Sequence, residues 1–157
     1  MNHKVEKSDL DQFQYPNRKI GVIAHIVDES GKILLQQRGT KSRDENGLFE
    51  DVGGKLEESD LDFKSAIIRE MKEEMGTEIH IELGDSIGIY HVPKHDINWV
   101  FIIFYVKYIG GEIKIMEPDK CIGYKFFDYE EVLESDLVSE SCKYLTKSIK
   151  KEYLSNQ

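Results

Sequence analysis

The run REMKEEMG, Arg69 to Gly76, crowds three glutamates into five residues of a chain that is already acidic. Read as a helix, it advances about 100° per residue, so Glu70, Glu73 and Glu74 share one arc beside the apolar positions Ile67, Ile68, Met71 and Met75. Like charges at these spacings oppose helix formation by about 0.2–0.5 kcal/mol per pair, and by more when desolvated. Glu73 and Glu74 also fall in the last turn, where the helix dipole disfavours anions. Arg69 offsets one acid at i,i+4, and folding needs leave the rest unexplained. A solvated charged face is the bland alternative. A hard divalent cation would remove the repulsion, and an all-oxygen donor set without His or Cys selects Mg²⁺, with Mn²⁺ as second choice. Gly53 and Gly54, ahead of the helix, would let backbone approach such an ion.

The elements that must carry this run follow from periodicity. KIGVIAHIV reads as a buried strand, turned by DESG into a second strand, KILLQQR. GTKSRDENG is a polar loop, and LFEDV is a short strand ending at the Gly53–Gly54 break. The helix is predicted over about Asp62 to Met75, with Gly76 as its stop. EIHIEL and SIGIYHV are predicted as separate strands, HVPKHDIN as a loop, and WVFIIFYVKYI as a central strand buried on both faces. EIKIM is expected as a strand, DYEEVLES as a short helix. Leu145, Ile149 and Tyr153 make the C-terminal segment an amphipathic helix. The fold class is therefore α/β (α+β), with a mixed, mainly antiparallel sheet and helices packed on it.

Bulk properties bound the function. At 157 residues, with 39% hydrophobic and 32% charged residues, the chain suits one soluble globular domain. A polar leader over 1–16 is expected ahead of a single domain over 17–157. Formal net charge of −9 argues against nucleic acid or anionic membrane as partners. Two cysteines imply no disulfide framework, and the polar N-terminus is no secretory signal, so a cytoplasmic protein is expected.

The stretch GGKLEESDLDFKSAIIREMKEEMGT resembles the Nudix box, G-x5-E-x7-R-E-U-x-E-E-x-G-U, where U is bulky and apolar. Arg69, Glu70, Met71, Glu73, Glu74 and Gly76 fill its second half without a gap, and Gly54 fits its opening glycine. The flanking strands and the EPDKCIGYKFFDYEEV segment extend the likeness over roughly Ile20 to Val132. There are departures. Counted from Gly54, the glutamate position falls on Asp60 and one residue too many precedes Arg69; Asp62 is the alternative acid. Thr77 is less apolar than the pattern prefers.

The resemblance implies a Nudix-type α/β/α sandwich and Mg²⁺-dependent hydrolysis of a phosphoanhydride bond in a nucleoside diphosphate derivative, such as a nucleoside triphosphate. It implies metal ligation by Glu70, Glu73, Glu74 and the Gly54 carbonyl, with Arg69 holding the cluster. Arg38 is a candidate phosphate contact, with a solvated loop cation as the equal alternative. Glu117 and Asp119 are the candidates for a general base, Glu117 being preferred, and Glu57 is a further acid near the metals. Tyr90, His91, Trp99, Phe101 and Phe104 are either core or a base-stacking surface. A small nucleotide-type substrate and a possible homodimer complete the expectation. The alternatives are an ADP-ribose or nucleotide-sugar pyrophosphatase, to which the spacing of Pro93 points, and a non-catalytic nucleotide-sensing Nudix module. An isopentenyl diphosphate isomerase is disfavoured because no cysteine precedes Cys121.

Overall fold

In the computed structural model, which describes residues 5–39 and 46–156, β1 (Arg18–Asp28) is the axis of a seven-stranded sheet. Its β-branched run has partners on both edges and helices over both faces, and Val22, Ala24 and Ile26 have no exposed surface. On one edge it pairs parallel with β6 (Ile97–Gly111), from Arg18↔Asn98 to Asp28↔Tyr108. On the other it pairs antiparallel with β2 (Ile33–Arg38) and with β4 (Val52–Lys55). The β1–β2 turn is closed by Asp28, whose Oδ1 accepts from the Ser30 and Lys32 amides, both at 2.9 Å. The short β3 (Phe49–Glu50) and β7 (Cys121–Phe127) pair with β2. The polar loop expected over GTKSRDENG falls largely on 40–45, outside the described residues.

Helix α1 (Phe63–Met75) covers one face. Asp62 caps it by accepting from the Ser65 amide at 2.7 Å, and Gly76 ends it at φ 87°. Phe63, Ala66, Ile67, Met71 and Met75 pack onto Val22, Ala24, Ile26, Val100, Ile102 and Phe104. On the other face, Leu145 and Ile149 of α3 (Glu140–Glu152) pack on Ile23, Val92 and Ile103, with α2 (Tyr129–Glu134) alongside. The result is the expected α/β/α sandwich with a mixed, largely antiparallel sheet.

Four local expectations change. The strands predicted over EIHIEL and SIGIYHV are one strand, β5 (Ile79–Lys94), because pairing with β6 continues through irregularities at Leu83/Ser86 and Ser86/Gly88. The same pairing reaches Lys94↔Ile97, so the expected HVPKHDIN loop shrinks to a turn at His95, which takes φ 53°. EIKIM is not a strand. The Lys114 amide donates to Met75 O at 3.0 Å and the Met116 amide to Glu74 O at 3.5 Å. Those are the orphan carbonyls at the end of α1, which need donors from outside the helix. Finally, Gly53 and Gly54 do not break a strand but lie inside β4, opposite Ile23 and Val22.

Candidate active site at the end of helix α1

Arg69 organises the acids. Its Nε and Nη2 each donate to one oxygen of Asp60 at 2.9 Å, a two-pronged pair of the strong charge-assisted kind. Its Nη1 donates to Glu70 Oε1 at 2.9 Å and Glu73 Oε2 at 3.2 Å, and its Nη2 to the Lys55 carbonyl at 3.3 Å. The Asp60 bond above all pushes the guanidinium pKa up, and the same bond holds the Asp60 carboxyl below the usual range. This shows how the stretched loop is accommodated. Asp60 turns inward, with its side chain only 4% exposed, Leu61 is left 86% exposed, and Asp62 caps the helix. One extra residue thus divides two aspartates between two tasks.

The division predicts a ranking. Asp60→Ala strands a partly buried guanidinium and is expected to lower unfolding free energy by about 1.5–3 kcal/mol, as for hydrogen bonds to charged groups. Asp62→Ala loses only a cap, about 1 kcal/mol. Urea unfolding of the two variants checks this, and the reverse order would contradict it.

Two glutamates sit where carboxylates are unfavourable. Glu70 is 8% exposed, and its carboxyl lies where a side chain on Gly54 would go: an added Cβ would stand 2.4 Å from its Cδ. Burial raises its pKa despite Arg69. Burial, then the charge of Glu70, pushes Glu74 up to about 8. Glu74 Oε1 accepts from Gln36 Nε2 at 3.4 Å, whereas its Oε2 is sealed from solvent and has no hydrogen-bond partner among the described residues. Its backbone carbonyl accepts from Tyr124 Oη at 2.7 Å. Glu73 is half exposed and turned towards Arg69. Among the described residues no three acidic, His or Cys side chains already converge on one point. A carboxyl group with an unanswered buried oxygen is nevertheless one that a cation would satisfy in place of its proton, and a neighbouring carboxylate in a glycine cradle supplies the second donor. The residues fit a hard divalent ion.

Comparison with known proteins decides the family. The NUDIX domain model matches residues 17–147. The chain belongs to the Nudix family. It is 46% identical over 61 residues to the CTP pyrophosphohydrolase of Escherichia coli (strain K12), a stretch covering 39% of this chain and 44% of that protein. The chain thus aligns with less than half the length of that curated relative. Among solved structures it superposes on the MutT protein of Methanosarcina mazei Go1 with a TM-score of 0.76 at 24% identity, covering 88% of this chain and 97% of the other. On the MutT NUDIX hydrolase of Burkholderia pseudomallei the values are 0.68, 23%, 85% and 99%. These two likenesses show a shared fold. Nudix enzymes generally use divalent metals such as Mg²⁺.

Of the other expected residues of this Nudix protein, Arg38, Glu117 and Glu57 lie near the acids of α1 and the rest are spread over the fold. Arg38 ends β2 with its Nε 3.6 Å from Glu50 Oε2, close enough to Glu74 for its charge to favour the ionised form. Glu117 lies on the segment pegged to α1, bridges to Lys120 at 3.4 Å, and its charge also raises Glu74. Asp119 packs its carbonyl on Gly39. Glu57 Oε2 stands 3.4 Å from Arg69 Nε. Of the aromatic candidates, Phe104 is core at 2% exposure, while Trp99 and Phe101 stack at 5.1 Å, only half-buried. His91 stacks on Tyr15, and Tyr90 donates to Glu152.

Sequence reasoning missed four residues. Lys94 reaches from the β5–β6 tip to Glu50 Oε1 at 3.1 Å, so Glu50 sits between Lys94 and Arg38. Gln36 and Tyr124 hold Glu74 from two sides. The period of two in KILLQQR offered one signal, since it places polar Gln36 on the face of buried Leu34.

Proposed function

We propose that this protein is a Mg²⁺-dependent Nudix hydrolase that cleaves a phosphoanhydride bond in a nucleoside diphosphate derivative, a nucleoside triphosphate in the first instance. The observation that carries the reading is the sealed, partnerless Oε2 of Glu74 beside the Gly54 cradle of Glu70. The name of the curated relative, a CTP pyrophosphohydrolase, supports a triphosphate over an ADP-ribose or nucleotide-sugar substrate. Residues 17–157 form the catalytic domain on this reading, with Val5 and Leu10 of the leader packed into its core. Among the described residues no helix is long and apolar enough to cross a membrane.

Glu70, Glu73, Glu74 and the Gly54 carbonyl would hold the metal, which when bound neutralises phosphate charge and lowers the pKa of water. The chain's own part is positioning and charge. Arg69 fixes Glu70 and Glu73 and is itself fixed by Asp60. Arg38 supplies a forked cation for a phosphate oxygen, and Lys94 a second positive charge on the far side of Glu50. Glu117 accepts the proton of the attacking water, whose oxygen joins phosphorus as the bridging P–O bond breaks. Glu74, held by Gln36 and Tyr124, stays fixed through that exchange.

The test is a panel of nucleoside triphosphates, ADP-ribose and nucleotide sugars, assayed with Mg²⁺ and Mn²⁺ for the wild type and Glu73→Gln. At least one substrate is expected to turn over, and the variant to lose about 100-fold or more. No turnover of any substrate, or an unimpaired variant, would sink the reading; binding without turnover would make the protein a nucleotide sensor instead.

A further inference from the structure

Gln36 stands outside every role the Nudix box describes, yet it is 3% exposed and its amide faces two acceptors. Its Nε2 lies 3.4 Å from Glu74 Oε1 and 3.4 Å from the Asp51 carbonyl oxygen. The Asp51 carbonyl can only accept, so the NH₂ end must point this way, with one hydrogen for it and one for Glu74. The amide therefore chooses between the two oxygens of Glu74. It occupies Oε1 and leaves Oε2 as the buried oxygen without a partner.

The other anchor is itself fixed. Asp51 joins β3 to β4, and its carboxylate is gripped on both oxygens: His25 Nδ1 lies 3.3 Å from Oδ1, and the Cys142 thiol donates to Oδ2 at 3.5 Å. His25, Asp51 and Cys142 are 2%, 8% and 2% exposed, so no water competes for these bonds. A connected path thus runs from Cys142 on α3, through the sheet at Asp51 and Gln36, to Glu74 on α1. Burying a His, an Asp and a Gln together is expensive unless each is satisfied, and packing α3 would need only apolar residues.

We propose that Gln36 is a positioning residue for the metal site: anchored on Asp51, it pins Glu74 Oε1 so that Oε2 is presented to the divalent ion. The inference rests on the metal-dependent reading above. Partners that orient a metal ligand typically contribute about 10- to 100-fold in affinity. Without the amide, Glu74 is free to turn away from the charge of Glu70, and the donor pair is lost until the ion pulls it back.

The experiment is Mn²⁺ binding followed by electron paramagnetic resonance, on the wild type, Gln36→Met and Gln37→Met. Methionine keeps the length and volume of glutamine and removes the donor. Gln37 donates to the Gly47 carbonyl instead and serves as the control. The Mn²⁺ dissociation constant is expected to rise about 10- to 100-fold in Gln36→Met, with circular dichroism unchanged, and to stay at the wild-type value in Gln37→Met. Equal Mn²⁺ affinity in the wild type and Gln36→Met overturns the inference alone. A wild type that binds no Mn²⁺ overturns the proposed function and the inference with it. Should Gln36→Met not fold, the wild type still decides: the Gln36 side-chain amide resonances should shift along a saturating curve as Mg²⁺ is added, and resonances that stay still overturn the proposal.

Discussion

Replacing Gly54 by alanine is expected to lower metal-dependent turnover about 100-fold or more while leaving the metal-free protein folded. The added Cβ would stand 2.4 Å from Glu70 Cδ and Oε1 and 2.5 Å from Oε2, distances at which the carboxylate must move. What it would meet is the end of a side chain rather than backbone, so the sheet can stay in register while Glu70 swings out. Glu70 cannot swing without breaking the 2.9 Å bond to Arg69, and so it leaves the position that its neighbours define. Gly53→Ala makes the contrast. There the new Cβ would fall 2.2 Å from the Val22 carbonyl oxygen, on the strand with which β4 pairs, so the backbone itself must give. That variant is expected to lose about 1–3 kcal/mol of stability, as overpacked sites do. Steady-state kinetics and thermal melts on both variants separate the two roles. Turnover of Gly54→Ala within about threefold of wild type would show that Glu70 does not need its cradle.

How far the site could be read from the chain depends on whether a residue's task is local. The crowding in REMKEEMG was legible, because helix period alone puts three acids on one arc and the single neighbouring cation, Arg69, cannot offset all of them. The tasks of Asp60 and Asp62 were not, because spacing alone leaves either free to replace the glutamate. Only the path of the loop turns Asp60 to Arg69, leaves Leu61 in solvent and sets Asp62 under the Ser65 amide. Lys94 and Glu50 are 44 residues apart and meet only because the β5–β6 tip reaches across to β3. EIKIM misled for the opposite reason. Its alternation is that of a strand, yet its amides serve carbonyls at the end of α1 that no reading of the segment by itself would reveal. The long β5 was hidden by Gly84–Asp85, which interrupts the alternation without ending the pairing to β6.

Without metal, the protein is expected to lose stability as pH rises from about 5 to 8, and Mg²⁺ to restore it. Glu74 titrates from an ordinary value of 4.5 when unfolded and from about 8 in the folded chain, raised by burial and by Glu70. Below 4.5 both states hold the proton and the group is neutral in its effect. Between 4.5 and 8 the folded state keeps a proton that the unfolded state has released, so each rise in pH favours unfolding. The slope is at most about 1.4 kcal/mol per pH unit for one proton, and it flattens above 8. Asp60 works the other way: its lowered folded pKa gives stability that is present above 3.8 and lost on acidification. Melts in EDTA should therefore fall by roughly 10 °C across pH 5 to 8, given a loss of a few kcal/mol in a chain of this size. Mg²⁺ binds the ionised carboxylate in place of the proton, so its stabilising effect should be small at pH 5 and grow towards pH 8. Glu74→Gln supplies the decisive comparison, since it removes the titrating group and keeps its shape. In EDTA at pH 8 this variant should melt higher than the wild type and show a flatter pH profile, and added Mg²⁺ should stabilise it far less. A wild-type profile in EDTA that is flat from pH 5 to 8, or a Glu74→Gln variant that melts below the wild type at pH 8, would remove Glu74 as the strained carboxylate awaiting an ion.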